Sequence, residues 1–189
     1  MRIVKSTRPP ESGKSVAGLE TKRAPELISA IAPDGAFEGY ASLFGMVDMG
    51  RDLVMPGAFA ESLRKRGHSG VKMLWQHRAA EPVGSWQSIM EDARGLKVAG
   101  RLNLSVARAR EILALRREGA LDGLSIGFKT LLASTDKATG IRRLQKLDLW
   151  EISIVTFPML PQARVSAVKL TPSPGDLAKT IRQTANLFR

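Results

Sequence analysis

The sequence predicts a β-rich α+β domain, most simply a closed or nearly closed barrel with helices packed against it. Three observations point there. About six or seven segments read as strands, against two or three helices. The strands flank one amphipathic stretch over 106–118 instead of alternating with helices. Hydrophobic residues make up 43% of 189 positions, enough to fill a core without disulfides, since there is no cysteine.

The elements follow in chain order. Residues 1–33 read as an N-terminal tail, because Pro9-Pro10, Pro25 and Pro33-Asp34-Gly35 break regular structure and leave only Leu27 to Ile31 as a short strand. Phe37 to Phe44 is a strand, and Val47 to Asp52 is a polar loop leading to Pro56-Gly57-Ala58-Phe59. Phe59 and Leu63 are four apart and share one face of a short helix over 58–66. Val71 to Gln76 reads as a buried strand that ends at His77, near the core. Val83 to Met90 and Gly95 to Leu104 are strands joined by a hairpin connection at 91–95. Ser105 is the expected N-cap of the 106–118 helix, with Val106, Ala109, Ile112, Leu113 and Leu115 on its apolar side and Gly119 as its stop. Leu124 to Ala133 and Ile141 to Phe157 are long strands joined by a turn near Thr139-Gly140, and Pro158 and Pro161 end the second. Thr171-Pro172-Ser173-Pro174-Gly175 is a linker by composition, and Asp176 caps a final helix with Leu177, Ile181 and Leu187 on its stripe. The expected organisation is therefore a tail at 1–33, one domain at 34–170, and a linker with a short helix at 171–189.

Lysine and arginine number 29 against 18 acidic residues, a formal charge of +11. That balance favours acidic partners, whether nucleic acid or an acidic protein surface. The basic residues are dispersed, with no run of five, and aromatics are only 5%, so stacking platforms for single strands are not expected. A basic nucleic-acid-binding protein is an alternative supported by charge alone, and no specific nucleic-acid partner is expected. The missing cysteine excludes a thiol nucleophile and cysteine-based zinc sites, and fits a reducing compartment. No apolar run approaches the ~20 residues that span a bilayer, and the N-terminus lacks an apolar signal core. A cytoplasmic protein without membrane, metal or cofactor is expected.

Three residues stand out chemically. Ser125 lies in Leu124-Ser125-Ile126-Gly127-Phe128, His77 closes Met73-Leu74-Trp75-Gln76-His77, and Glu151 interrupts Leu149-Trp150-Glu151-Ile152-Ser153-Ile154-Val155. Taken singly, each has a bland reading: most strand serines are inert, and a histidine at a strand end is usually a satisfied structural group. The other histidine, His68, sits in a glycine-flanked loop and is expected to be solvated. Strict alternation would put Leu147, Leu149, Glu151, Ser153 and Val155 on one face, where a carboxylate needs a partner because an unpaired buried charge is very costly. Together the three can form a hydrolytic triad. A serine hydroxyl attacks only as a base removes its proton, imidazole titrates near neutrality, and a carboxylate on the far ring nitrogen fixes the tautomer.

The motifs resemble those of the prohead (capsid maturation) serine proteases of HK97-type tailed phages, with relatives in prophages and gene transfer agents. The resemblance rests on Gly39-Tyr40-Ala41 with Phe44, on Asp48 and Asp52 ahead of Pro56-Gly57-Ala58-Phe59, and on Leu74 to His77. It continues through Val83-Gly84, Gly95 to Val98 with Gly100, Gly119-Ala120-Leu121, Ser125 to Phe128, and Glu151 to Pro158. It covers roughly residues 35–168. The family is similar in fold to herpesvirus assemblins, so the resemblance implies an assemblin-like β-barrel with surrounding helices. It implies a serine endopeptidase that cuts major capsid protein or its scaffold segment inside the procapsid, in the bacterial host cytoplasm, and that processes itself. By position it implies His77 as the base, Ser125 as the nucleophile and Glu151 as the third member, with Arg164 matching the arginine region that assists the oxyanion in assemblins. A homodimer would follow the assemblin arrangement. A catalytically silent capsid- or scaffold-binding module on the same fold is the remaining alternative.

Overall fold

Period-two burial builds the sheet: in Gly95–Leu102, residues Leu96, Val98, Gly100 and Leu102 point inward while Lys97, Ala99 and Arg101 are less buried. A computed structural model describes residues 32–166. The strand expected at Leu27–Ile31, the linker at 171–175 and the final helix lie outside the described residues. Among the described residues eight strands and two helices run in the order β1 (Ala36–Leu43), β2 (Asp52–Val54), α1 (Ala60–Arg66), β3 (Lys72–Trp75), β4 (Arg78–Glu91), β5 (Gly95–Leu102), α2 (Ala107–Arg117), β6 (Gly123–Thr135), β7 (Arg142–Val155) and β8 (Val165–Ser166). The β-rich α+β expectation holds. The two very short strands, β2 and β8, are the additions that periodicity is too coarse to register.

The sheet runs β2-β7-β3-β4-β5-β1-β8, and β6 pairs with β7. β2 and β3 lie parallel to β7 at its two ends, while the other pairings are antiparallel. Its two ends meet at a short seam. Leu124 N–H donates to Ala163 O at 2.9 Å, Val165 N–H donates to Asp122 O at 3.1 Å, and Tyr40 N–H donates to Arg164 O at 3.1 Å. The segment 163–166 thus lies between β1 and the start of β6 and curls the sheet into a barrel. Gly39 makes the approach possible: a Cβ there would sit 2.6 Å from Val165 Cα. Leu124, Leu144, Leu147, Leu149, Ile152 and Ile154 fill the interior with Met73 and Phe59, and Phe37 meets Trp86 edge-on at 5.6 Å.

The helices close the sides. α1 docks on β7 through Ser62 Oγ, which accepts from Leu149 N–H at 2.9 Å, and through the Arg66–Asp148 pair at 2.8 Å. In α2 two expectations change. Ser105 is not the cap: its own N–H donates to Asn103 Oδ1 at 3.1 Å, and Val106 takes the N-cap position with no side-chain cap bond. Leu115 is 40% exposed, and the buried stripe is Ala109, Ile112, Leu113 and Arg116. The spacing i, i+3, i+4, i+7 carries that stripe onto an arginine. Its guanidinium lies 5.5 Å from the Phe37 ring centre, and Nε and Nη1 have no partner among the described residues. Burial pulls its pKa down to about 10.

Candidate active site

The chain reverses between β3 and β4 in only two residues, Gln76 and His77, with Trp75 paired to Arg78 across the turn. Both residues have positive φ, 50° and 59°. That is the sign pattern of the tight hairpin turns that usually carry Asn-Gly, and for side chains with a Cβ it costs on the order of 1–2 kcal/mol each. Three bonds to β7 and its end hold the turn. Gln76 N–H donates to Ile154 O at 3.1 Å, Gln76 Nε2 to Thr156 Oγ1 at 2.8 Å, and His77 N–H to Ser153 Oγ at 3.0 Å. His77 is therefore at a turn tip with its side chain 44% exposed, not at a strand end in the core as its apolar run suggests.

Glu151 reaches His77 because β7 breaks its alternation. Gly127 pairs with Glu151 and Phe128 with Leu149, so Trp150 has no partner and bulges out, 54% exposed, beneath Arg66 at 4.7 Å. Just before the bulge Leu147 and Leu149 face the core; after it Ile152 and Ile154 do. Glu151 and Ser153 are thereby placed opposite the core, and the single apolar face expected for Leu147 through Val155 is replaced by two half-strands of opposite phase. The Glu151 carboxylate lies over β6 at Gly127, where any Cβ would collide with Oε1.

The His77 Nδ1 to Glu151 Oε1 distance is 2.6 Å. An ionised carboxylate only accepts, so Nδ1–H donates and Nε2 is the free ring nitrogen. The hydrogen bond to Glu151 holds the imidazole pKa above its ordinary range, against a downward pull from burial, with the carboxylate's charge adding to the rise. Ser153 ties the pair together. Fully buried, its hydroxyl donates to Glu151 Oε2 at 2.6 Å while it accepts the His77 backbone N–H. Neither Ser153 nor Gly127 has a role in the reading of the sequence, although Ser153 shows as the polar residue between Ile152 and Ile154 on the Glu151 face.

Ser125 is buried on β6 and pairs across the ladder with Ser153, two positions from the Gly127–Glu151 pair. Paired residues share a face, and their Cβ atoms stand roughly 5 Å apart. Ser125 is therefore on the face that holds Glu151 and Ser153. Among the described residues its hydroxyl makes no hydrogen bond to His77, so the structure joins Glu151 to His77 and sets Ser125 on the same face of the ladder. Arg164 is also close in the chain path, bridged to Gly123 at the seam. Its guanidinium is engaged by the Asp122 carboxylate, and its Nε donates to Pro161 O at 2.7 Å. His68 stays apart, exposed, with Nδ1 2.9 Å from Trp86 O.

Two clefts deserve comparison. The larger, about 810 Å³, is walled by β4, β5 and the 103–106 turn and holds none of these residues. A smaller one, about 190 Å³, includes Ser125 in its wall. Titratable groups in contact, not cleft size, locate chemistry here.

The chain matches the model of the family described as the Caudovirus prohead serine protease over residues 24–175. It is 37% identical over 161 residues to the prohead protease of Enterobacteria phage HK97, covering 82% of this chain and 68% of that one. It is 34% identical over 86 residues to the prohead protease of Escherichia phage T5, covering 46% of this chain and 40% of that one. The solved capsid assembly protease of bacteriophage T4 shares the fold, with a TM-score of 0.51 at 15% identity, over 64% of this chain and 80% of the other.

Proposed function

The chain belongs to the caudovirus prohead serine protease family, and from that premise we propose that it is a serine endopeptidase that cleaves capsid or scaffold protein during procapsid maturation, with Ser125 as nucleophile, His77 as base and Glu151 as the orienting acid. The observation that carries the assignment is the 2.6 Å His77–Glu151 contact on the same face as Ser125, two ladder positions away.

The chemistry follows from the geometry. Glu151 accepts from Nδ1–H, so the lone pair of His77 is on Nε2, where it takes the Ser125 proton as Oγ attacks the scissile carbonyl. The imidazolium then protonates the leaving amine, and the acyl-enzyme is hydrolysed by water activated by the same nitrogen. The developing oxyanion needs donors nearby. Arg164 is proposed for this role because its backbone bridges to Gly123; serving it requires the guanidinium to release Asp122. Self-processing is proposed at the proline-rich tail, 1–33, and at the linker, 171–175, both exposed by composition. The excess of positive charge supports recruitment by an acidic scaffold segment inside the procapsid, in the host cytoplasm.

The test is co-expression with the phage's own capsid protein. Wild-type protein should shorten the capsid protein and Ser125→Ala should not. Maturation cleavage that persists with Ser125→Ala, with no other protease present, would sink the assignment.

A further inference from the structure

We propose that the cleft beside Ser125 is a specificity pocket for one large apolar side chain, of the leucine, methionine or phenylalanine class, within two residues of the scissile bond. The inference rests on the catalytic reading of Ser125 and adds the substrate class to it.

The pocket opens where β1 and β6 diverge beyond the seam. Leu124 and Ile126 flank Ser125 on one wall, Ala41 and Leu43 form the other, and Met46 and Met159 make the rim. The rim methionines are 36% and 47% exposed, so they stand where an incoming chain would touch them. Methionine is unbranched and polarizable, which suits a mouth that closes around different apolar shapes. The volume, about 190 Å³, is too small for a folded segment or a drug-sized ligand and close to the ~150 Å³ apolar cavity that admits one benzene ring. One side chain fits.

Charge decides which kind. The two carboxylates in the wall are committed to holding it. Asp48 Oδ1 accepts from Gly50 N–H at 2.8 Å and Asp52 N–H at 2.9 Å. Asp52 is clasped at both oxygens by Arg142, at 2.7 and 2.5 Å. Among the described residues no lysine, arginine or histidine is in the lining. An acidic substrate side chain would lose its hydration beside two carboxylates, a basic one would find Asp52 already paired with Arg142 and Asp48 Oδ1 already taken by backbone N–H groups, and an apolar one gains burial. Because Ser125 is itself in the wall, the side chain that fills the pocket belongs to a residue next to, or one removed from, the bond being cut.

The experiment uses the full-length protein on a library of proteome-derived peptides, with cut sites read by mass spectrometry. Leu, Met or Phe should be enriched roughly ten-fold over Ala at one position within two residues of the cut, the range a hydrophobic pocket discriminates. Asp and Glu should be depleted there. Met159→Trp, at the exposed rim, narrows the mouth and should lower the Leu-to-Ala ratio at that position several-fold; Met46→Trp is the second variant. A small fluorophosphonate is run in parallel on the wild type. Ser125 labelled and peptides cut, but with no apolar preference or with a ratio that neither rim variant moves, overturns the pocket alone. Ser125 unlabelled and no peptide cut overturns the catalytic reading, and the pocket with it.

Discussion

At the scale of single residues, the site is a chain of hydrogen bonds in which each member fixes the next. Ser153 holds the Glu151 carboxylate with its proton and the strained His77 backbone with its lone pair. Ser153→Ala leaves a buried carboxylate oxygen and a backbone N–H without partners. A bond to a charged group contributes about 1.5–3 kcal/mol, so kcat/KM should fall roughly 10- to 100-fold with KM little changed. Ser153→Thr, which keeps the hydroxyl, should recover part of it. Steady-state kinetics on a cleaved peptide distinguishes the two. The His77–Glu151 pair also sets a pH dependence. His77 has a raised pKa, so the proposed base is lost as pH falls through a value above 6.5. The pair's contribution to stability runs the other way: it is complete below about 6.5 and disappears as pH rises through the raised value. Glu151→Gln should bring the His77 titration seen by NMR back toward 6.5, and should lower kcat on the order of 10⁴-fold by offering the wrong tautomer. With His68 the only other imidazole, the two signals are readily assigned. An unmoved His77 titration would remove Glu151 from the triad.

At the scale of elements, two local irregularities position the proposed triad, a two-residue turn and a one-residue bulge. The turn holds Gln76 at φ 50°. Gln76→Gly relieves a left-handed side chain worth ~1 kcal/mol, which for a domain of this size is about 2–4 °C in Tm, minus what the Thr156 bond contributes. Differential scanning fluorimetry should show a small rise or no change; a large fall would mean that the Gln76–Thr156 bond dominates the turn. The bulge places Glu151 over Gly127. Gly127→Ala should cost most of the activity with a native far-UV spectrum, because the new methyl occupies the carboxylate's place. These irregularities are also where the sequence stops being legible. The long strands, the α1 region and the partner role of Glu151 follow from periodicity and from the cost of an unpaired charge. The bulge at Trp150 does not, since a period-two pattern has no term for a skipped residue. The turn does not, since Gln and His are not the residues that positive φ normally selects. Ser105 misled because Asn103 competes for the same backbone, and Arg116 was hidden because an arginine in a helical stripe reads as solvent-facing.

At the scale of the whole molecule, the barrel is held shut by few residues, and the net charge acts on all of it at once. A formal charge of +11 predicts that association with an acidic scaffold peptide weakens steeply as salt rises from 50 to 300 mM, measurable by fluorescence anisotropy. Salt-independent binding would reassign recruitment to apolar contacts. The seam, made of backbone bonds from 163–166 to β1 and β6, has a different consequence. The proposed self-processing would act on this seam according to where it cuts. A cut beyond Ser166 spares the latch, and a chain ending at 168 should melt near the intact one. A cut before Ala163 removes the latch, parts β1 from β6 and takes Met159 and Leu160 from the mouth of the cleft if it falls early enough. A chain ending at 158 should therefore melt at least several degrees lower and lose cleavage. The position of the cut along one loop would then serve as a clock, with trimming on one side prolonging the working life of the particle's protease and trimming on the other ending it.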